Sequence, residues 1–301
     1  MTDRPAGFVV TVDPGDRMHF QDWGGPHAAG GPGSEAAHGV ILVHGLSQTS
    51  WVWAQVARLV AERAHTVAMD LRGHGLSDAP TEDGAYDLDV LGDDVVAVAE
   101  GSGVLDAPDA AVVLAGHGFG AIVAVHGAIA LGPKCAGVVL VDGGWESMED
   151  STGVDVDEFL RGLDEPPEVM GSMRSFLRDR AAFDSRTWDA DQERAARATV
   201  VETHAGRVVP ATRPHALEAS VRAMFGYEPL AILARVAVPV VALVAGEDDT
   251  GSRGESRAAA STARVGAGLA PIQVVPFDAS GHNLMRYRPA DVTAAILSLT
   301  D

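Results

Sequence analysis

Short runs of apolar residues alternate with amphipathic stretches along most of the chain. Residues 39–43 (GVILV), 66–69 (TVAM), 111–115 (AVVLA), 137–141 (GVVLV) and 239–245 (PVVALVA) are apolar at nearly every position. Continuous runs of this length, rich in valine, are expected of strands buried on both faces of a parallel sheet. A weaker run at 272–276 joins them. Residues 8–12 and 17–22 read as two further strands around the turn Asp13-Pro14-Gly15-Asp16. Between the runs lie segments of helical periodicity. Over 51–63, for example, Trp53, Val56, Ala57 and Val60 share one face. Helices are likewise predicted over 87–101, 119–131, 228–235, 254–265 and 289–299. Strands alternating with helices in this way predict an α/β fold, with a mostly parallel sheet of eight strands covered by helices on both faces.

The alternation fails twice. Residues 24–38 are glycine-rich and aperiodic, which predicts a loop. Residues 145–226 contain no apolar strand run and show helical spacing around 156–163, 168–181, 190–202 and 214–225. They read as a helical insertion, so the expected organisation is a core domain of 1–144 and 227–301 carrying a cap over 145–226.

Composition narrows the function. Of 301 residues, 22 are Lys or Arg and 42 are Asp or Glu, a formal net charge of −20. That balance disfavours nucleic acid and anionic membrane surfaces as partners, because both would be repelled. The single cysteine, Cys135, excludes an intrachain disulfide and cysteine-rich zinc sites. No signal-peptide core and no run of about 18 apolar residues is visible, so a cytoplasmic location is expected. No dinucleotide fingerprint, P-loop or paired histidine motif occurs, so neither cofactor nor metal is expected.

In open α/β sheets ligands gather where strands end at their carboxyl edge. His44-Gly45-Leu46 follows 39–43. Asp70-Leu71-Arg72-Gly73-His74-Gly75-Leu76-Ser77 follows 66–69. Gly116-His117-Gly118-Phe119-Gly120 opens a helix after 111–115. Gly246-Glu247-Asp248-Asp249 follows 239–245, and Gly281-His282 follows the last run. These five segments, in this order, resemble the α/β-hydrolase family along essentially the whole chain. The resemblance implies a nucleophile at position 118, an orienting acid near Asp249 and a base at His282. It also implies an oxyanion hole from the backbone N–H groups of Leu46 and Phe119, and a lid over 145–226.

The chain departs from the family's G-x-S-x-G pattern at the central position, where Gly118 replaces serine. Glycine cannot form an acyl-enzyme. Three readings stay open on sequence alone. One is a hydrolase of an ester or lactone whose nucleophile has been replaced. Another is a natural serine-less enzyme in which His282 activates water or substrate, for hydrolysis, a lyase reaction or a cofactor-free transformation. The third is a non-catalytic member that binds a small ligand. The spacing from Gly246 favours Asp249 as the acid, with Asp248 and Asp142 as alternatives. His117 is expected to pack beneath the elbow. His44, Gly45, Trp51 and Trp145 are candidate substrate-binding residues. Met148, Met170, Met173 and Phe176 would give the lid an apolar underside, suited to an apolar or aromatic small molecule.

Overall fold

The computed structural model describes residues 4–26, 38–107, 109–163, 171–247 and 249–300. Its main sheet has eight strands: β1 (Ala6–Val12), β2 (Asp16–Gly24), β3 (Gly39–Val43), β4 (Thr66–Met69), β5 (Val112–His117), β6 (Cys135–Val141), β9 (Val240–Ala245) and β10 (Gln273–Phe277). The spatial order is β1-β2-β4-β3-β5-β6-β9-β10. β2 pairs antiparallel with both β1 and β4, and every pairing from β4 through β10 is parallel.

The continuous apolar runs are explained by two cores, one on each face. Ile41 and Val43, Leu114, Val138 and Leu140, and Ala242 and Val244 enter the first. Val40 and Leu42, Val113 and Ala115, Val139 and Val141, and Val241 and Leu243 enter the second. Successive side chains point to opposite faces, so a strand covered twice must be apolar throughout. The first face is covered by α2 (Leu88–Gly101), α3 (Phe119–Leu131), α9 (Pro229–Leu233) and α10 (Gly251–Gly266). The second is covered by α1 (Ala54–Val60) and α12 (Pro289–Leu297). α3 is apolar almost all round and almost wholly buried, held between the sheet and α2.

Between β6 and α9 the chain leaves the sheet. It forms α4 (Met148–Thr152), α5 (Val156–Leu163), α6 (Met173–Phe183), α7 (Ala190–Ala198), β7 (Val200–Glu202), β8 (Val208–Pro210) and α8 (Pro214–Phe225). Its two ends meet where buried Tyr227 donates its hydroxyl proton to the Gly144 carbonyl at 2.9 Å. The helix predicted over 190–202 stops early. Its last residues form the antiparallel hairpin β7–β8, with Gly206 at φ +72° in the turn. α4, and the short helix α11 (Leu284–Tyr287) after the last strand, were not predicted either. Met170 lies outside the described residues. Among the described residues no helix is long and apolar enough to cross a membrane.

Candidate active site

Parallel register brings the carboxyl ends of four strands into one row. Val43 pairs with Gly116, His117 with Val141, and Val141 with Leu243. The residues just beyond these ends, His44 to Leu46, Gly118 and Asp142, are therefore neighbours.

Gly118 forms the turn between β5 and α3 at φ +52°, ψ −115°. This is the left-handed side of backbone space, which glycine adopts without steric cost. The flanking glycines have a different cause, the close approach of backbone. A Cβ at Gly116 would lie 2.1 Å from the Gly120 carbonyl oxygen, and one at Gly120 would lie 2.3 Å from that of His44. A Cβ at Gly118, by contrast, would meet only the His282 ring, 3.3 Å from Nε2 and 3.6 Å from Cε1. Position 118 thus points at the imidazole.

His282 lies in the loop between β10 and α11, with its side chain 48% exposed. Its Nδ1 is 2.6 Å from Oδ2 of Asp142. The carboxylate accepts, so the proton sits on Nδ1 and the Nε2 lone pair faces position 118. Asp142 is the residue after β6, and its side chain is wholly buried. Its Oδ1 accepts the Ala245 N–H at 3.0 Å and faces the Arg253 guanidinium at 3.3 Å. Burial acts to raise the Asp142 carboxyl pKa. The His282 hydrogen bond, the Arg253 charge and the Ala245 N–H outweigh it and hold the carboxyl below the usual range. Asp142 itself is held at φ +50°, a conformation that aspartate tolerates better than most side chains.

The structure corrects the expectation that Asp249 orients His282. Asp249 precedes α10 and pairs in a two-pronged contact with Arg257, at 2.9 and 3.1 Å. Asp142, the alternative, is the carboxylate on the imidazole. The adjacency of β5 and β6 in the sheet decides this: a Cβ on the next residue, Gly143, would lie 2.9 Å from the Gly118 Cα. Asp248 lies outside the described residues.

His117 packs beneath the site as expected, with its ring 4.3 Å from that of His282. Both ring nitrogens of His117 face oxygens, Nε2 the His282 carbonyl at 3.1 Å and Nδ1 the Gln48 Oε1 at 3.0 Å, and a neutral ring donates to one of the two. Burial and the neighbouring His282 push the His117 imidazole down to about 3, so it stays neutral. Gln48 is a residue the sequence did not single out. It also accepts the Gly45 N–H and donates to Asn283, tying the loop after β3 to the loop of His282.

The four candidate substrate-binding residues all make contacts within the protein. His44 is fully buried; it donates from Nδ1 to the Gly45 carbonyl and accepts the Leu71 N–H at Nε2. Both ring nitrogens are thus used by backbone, and the ring shapes the loop after β3. Gly45 is held by Gln48, and a Cβ there would lie 2.8 Å from His117 Nδ1. Trp51 packs edge-on to Trp23 and beneath the Arg194 guanidinium, 4.7 Å from its ring centroid. Trp145 is wholly buried in the first core, under Arg253 and Arg257. Met148 and Phe176 are also taken up by packing, Met148 against the first core and Phe176 in the buried interior.

Phe119 is the first residue of α3, so its N–H has no acceptor within the helix. Among the described residues the Leu46 N–H also takes no partner. Among the described residues no three His, Cys, Asp or Glu side chains converge as metal ligands would.

The chain belongs to the alpha/beta hydrolase family, whose model matches residues 40–296. It is similar to epoxide hydrolase 4 of Mus musculus, with 32% identity over 117 residues, 39% of this chain and 29% of that protein. It is also similar to N-formylmaleamate deformylase of Pseudomonas putida, with 33% identity over 138 residues, 46% of this chain and 45% of that protein. The chain thus spans less than half the length of these relatives. Among solved structures, E-2-(acetamidomethylene)succinate hydrolase superposes with a TM-score of 0.74 at 19% identity, covering 98% of both chains. A thioesterase domain from the curacin biosynthetic pathway gives 0.73 at 18% identity, covering 97% of this chain and 99% of that one. At these identities the two structures establish the fold alone.

Proposed function

We propose that this chain hydrolyses an ester, lactone or related carbonyl bond of a small molecule by direct attack of water. The observation that carries this reading is the 2.6 Å hydrogen bond from His282 Nδ1 to buried Asp142, with Nε2 facing position 118. An orienting carboxylate fixes the imidazole tautomer and stabilises the charged form that follows proton uptake. A water taking the place of a nucleophilic side chain at Gly118 would give its proton to Nε2 as it attacks the carbonyl carbon. The N–H groups of Leu46 and Phe119 would stabilise the resulting oxyanion. His282 would then protonate the leaving group. No covalent intermediate forms, because Gly118 supplies no side chain. The 145–226 segment would act as the lid over this site.

The test compares the intact chain with His282→Ala and His282→Gln on aryl esters, lactones and formamides. We expect turnover by the intact chain and a loss of at least about 100-fold in both variants, the usual contribution of a positioned base. Equal turnover in all three proteins would refute the general-base role. Ligand binding without turnover by any of them would favour a non-catalytic member of the family.

A further inference from the structure

We infer that a cavity beside His282 is a subsite for the carboxylate of a small anionic substrate. The inference rests on the hydrolytic reading of the neighbouring site and adds the substrate class. The cavity is about 420 Å³ in volume and lies between the loop after β3, the helices α6 and α7, and the loop of His282. Gln48 and Asn283, hydrogen-bonded to each other at 2.9 Å, form part of its wall. Asn283 adjoins His282 in the chain, and Ser47 on the same wall adjoins Leu46. Consecutive residues are about 3.8 Å apart at Cα, so the cavity wall begins one residue from His282 and one from Leu46.

The chemistry of the wall runs against that of the whole molecule. The chain carries a net charge of −20, yet among the described residues this cavity is lined by Arg180 and Arg286 and by no carboxylate. Neither guanidinium forms an ion pair among the described residues. Arg180 packs over the Phe176 ring. Arg286 donates to two neutral oxygens, the Thr187 hydroxyl and the Asp184 carbonyl. The Asp184 carboxylate is itself held by Arg186. Those neutral contacts fix the Arg286 side chain in place; its charge acts on the Asp184 carboxylate from a distance, but no carboxylate hydrogen-bonds to it among the described residues. Gln48, Gln192 and Asn283 add amide groups, while Trp188 supplies an apolar wall. Guanidinium groups with amides beside them match a carboxylate in both charge and geometry. The apolar wall suits the carbon chain that links this carboxylate to the scissile carbonyl.

The probe is glutarate, with its uncharged diamide as control, titrated into the full chain by calorimetry. We expect glutarate to bind at least tenfold more tightly than glutaramide. Arg180→Glu, and separately Arg286→Lys, should each weaken glutarate by roughly tenfold or more, the scale of a lost charge-assisted contact. Arg178→Met, which removes an exposed guanidinium paired with Asp179, should leave binding unchanged. Arg180 is an exposed helix residue, so its variant keeps the test open even if Arg286→Lys perturbs the loop it anchors. His282→Ala should still bind glutarate, which separates failure of this subsite from failure of the hydrolytic reading. Equal affinity for glutarate and glutaramide, no glutarate binding at millimolar concentration, or unchanged affinity in Arg180→Glu would each overturn the inference.

Discussion

Restoring a hydroxyl at position 118 should convert the site to covalent catalysis. A Cβ at that position lies 3.3 Å from His282 Nε2. An oxygen one bond further on can therefore enter the range of about 2.6–3.2 Å that a general base needs. The Asp142–His282 pair behind it is already joined at 2.6 Å. Two costs oppose the change. A non-glycine residue at φ +52° costs about 1–2 kcal/mol, and the 3.3 Å contact is tight enough that the imidazole must shift by a few tenths of an ångström. Together they should lower Tm by a few degrees. The gain should be larger than the cost. Loss of the nucleophile from a complete triad lowers kcat by roughly 10⁶. Even imperfect restoration should raise kcat/KM on aryl esters by about 10³, or about 4 kcal/mol of barrier. The assay is fluorophosphonate labelling together with stopped-flow release of a phenolate. Gly118→Ser should label and show a burst, and the glycine chain should do neither. A folded serine variant that neither labels nor gains activity would refute the geometry drawn here.

Three further outcomes follow from the same structure. Asp142→Asn should lower turnover by about 10³–10⁴, the scale for losing an orienting carboxylate, whereas Asp249→Asn should change kcat/KM by less than about twofold; steady-state kinetics that reverse this order would return the acid to Asp249. Burial, reinforced by the nearby His44, pushes the His74 imidazole down to about 4, and its ring already donates at Nδ1 to the Arg72 carbonyl and accepts the Ser47 N–H at Nε2. Its folded value lies below the unfolded value of about 6.5, so this stability is complete above about pH 6.5. It is lost progressively down to about pH 4, roughly 3 kcal/mol in all; urea unfolding should show that slope, and His74→Asn should flatten it. Gly120→Ala would set a Cβ 2.3–2.4 Å from the His44 and Val43 carbonyl oxygens. It should destabilise the fold by about 3 kcal/mol or more, and a Tm within a degree of the parent would show that the crossing of β3 and α3 is looser than drawn.

The central strands β3, β4, β5, β6 and β9 were legible because a strand covered on both faces must be apolar throughout, and few other segments of this chain are. The His282 position was legible because it stands in an ordered series of strand-end segments. The carboxylate that meets the imidazole was not. Asp142 ends a strand in full view, but only the adjacency of β5 and β6 brings it beside Gly118, and local spacing pointed to Asp249. The burial of His44 and Trp145 was not legible for a related reason. Their proximity to the site in the chain was visible, whereas the burial that turns them away from it comes from packing of distant residues. The β7–β8 hairpin was missed because three-residue strands carry no periodicity and Val200 continues a helical pattern. Gln48 and the Arg180–Arg286 pair gave no signal because they come together only through contacts between separate loops and helices.

In the proposed reaction His282, held by Asp142, activates water directly across Gly118. The most direct test is turnover of the unaltered chain on a hydrolysable ester in water containing methanol, with His282→Ala alongside. Direct water attack predicts steady release of product with no burst, no trapped acyl-protein in quenched samples analysed by mass spectrometry, and loss of turnover in His282→Ala. An acyl-protein adduct on the unaltered chain, or turnover undiminished by His282→Ala, would contradict it.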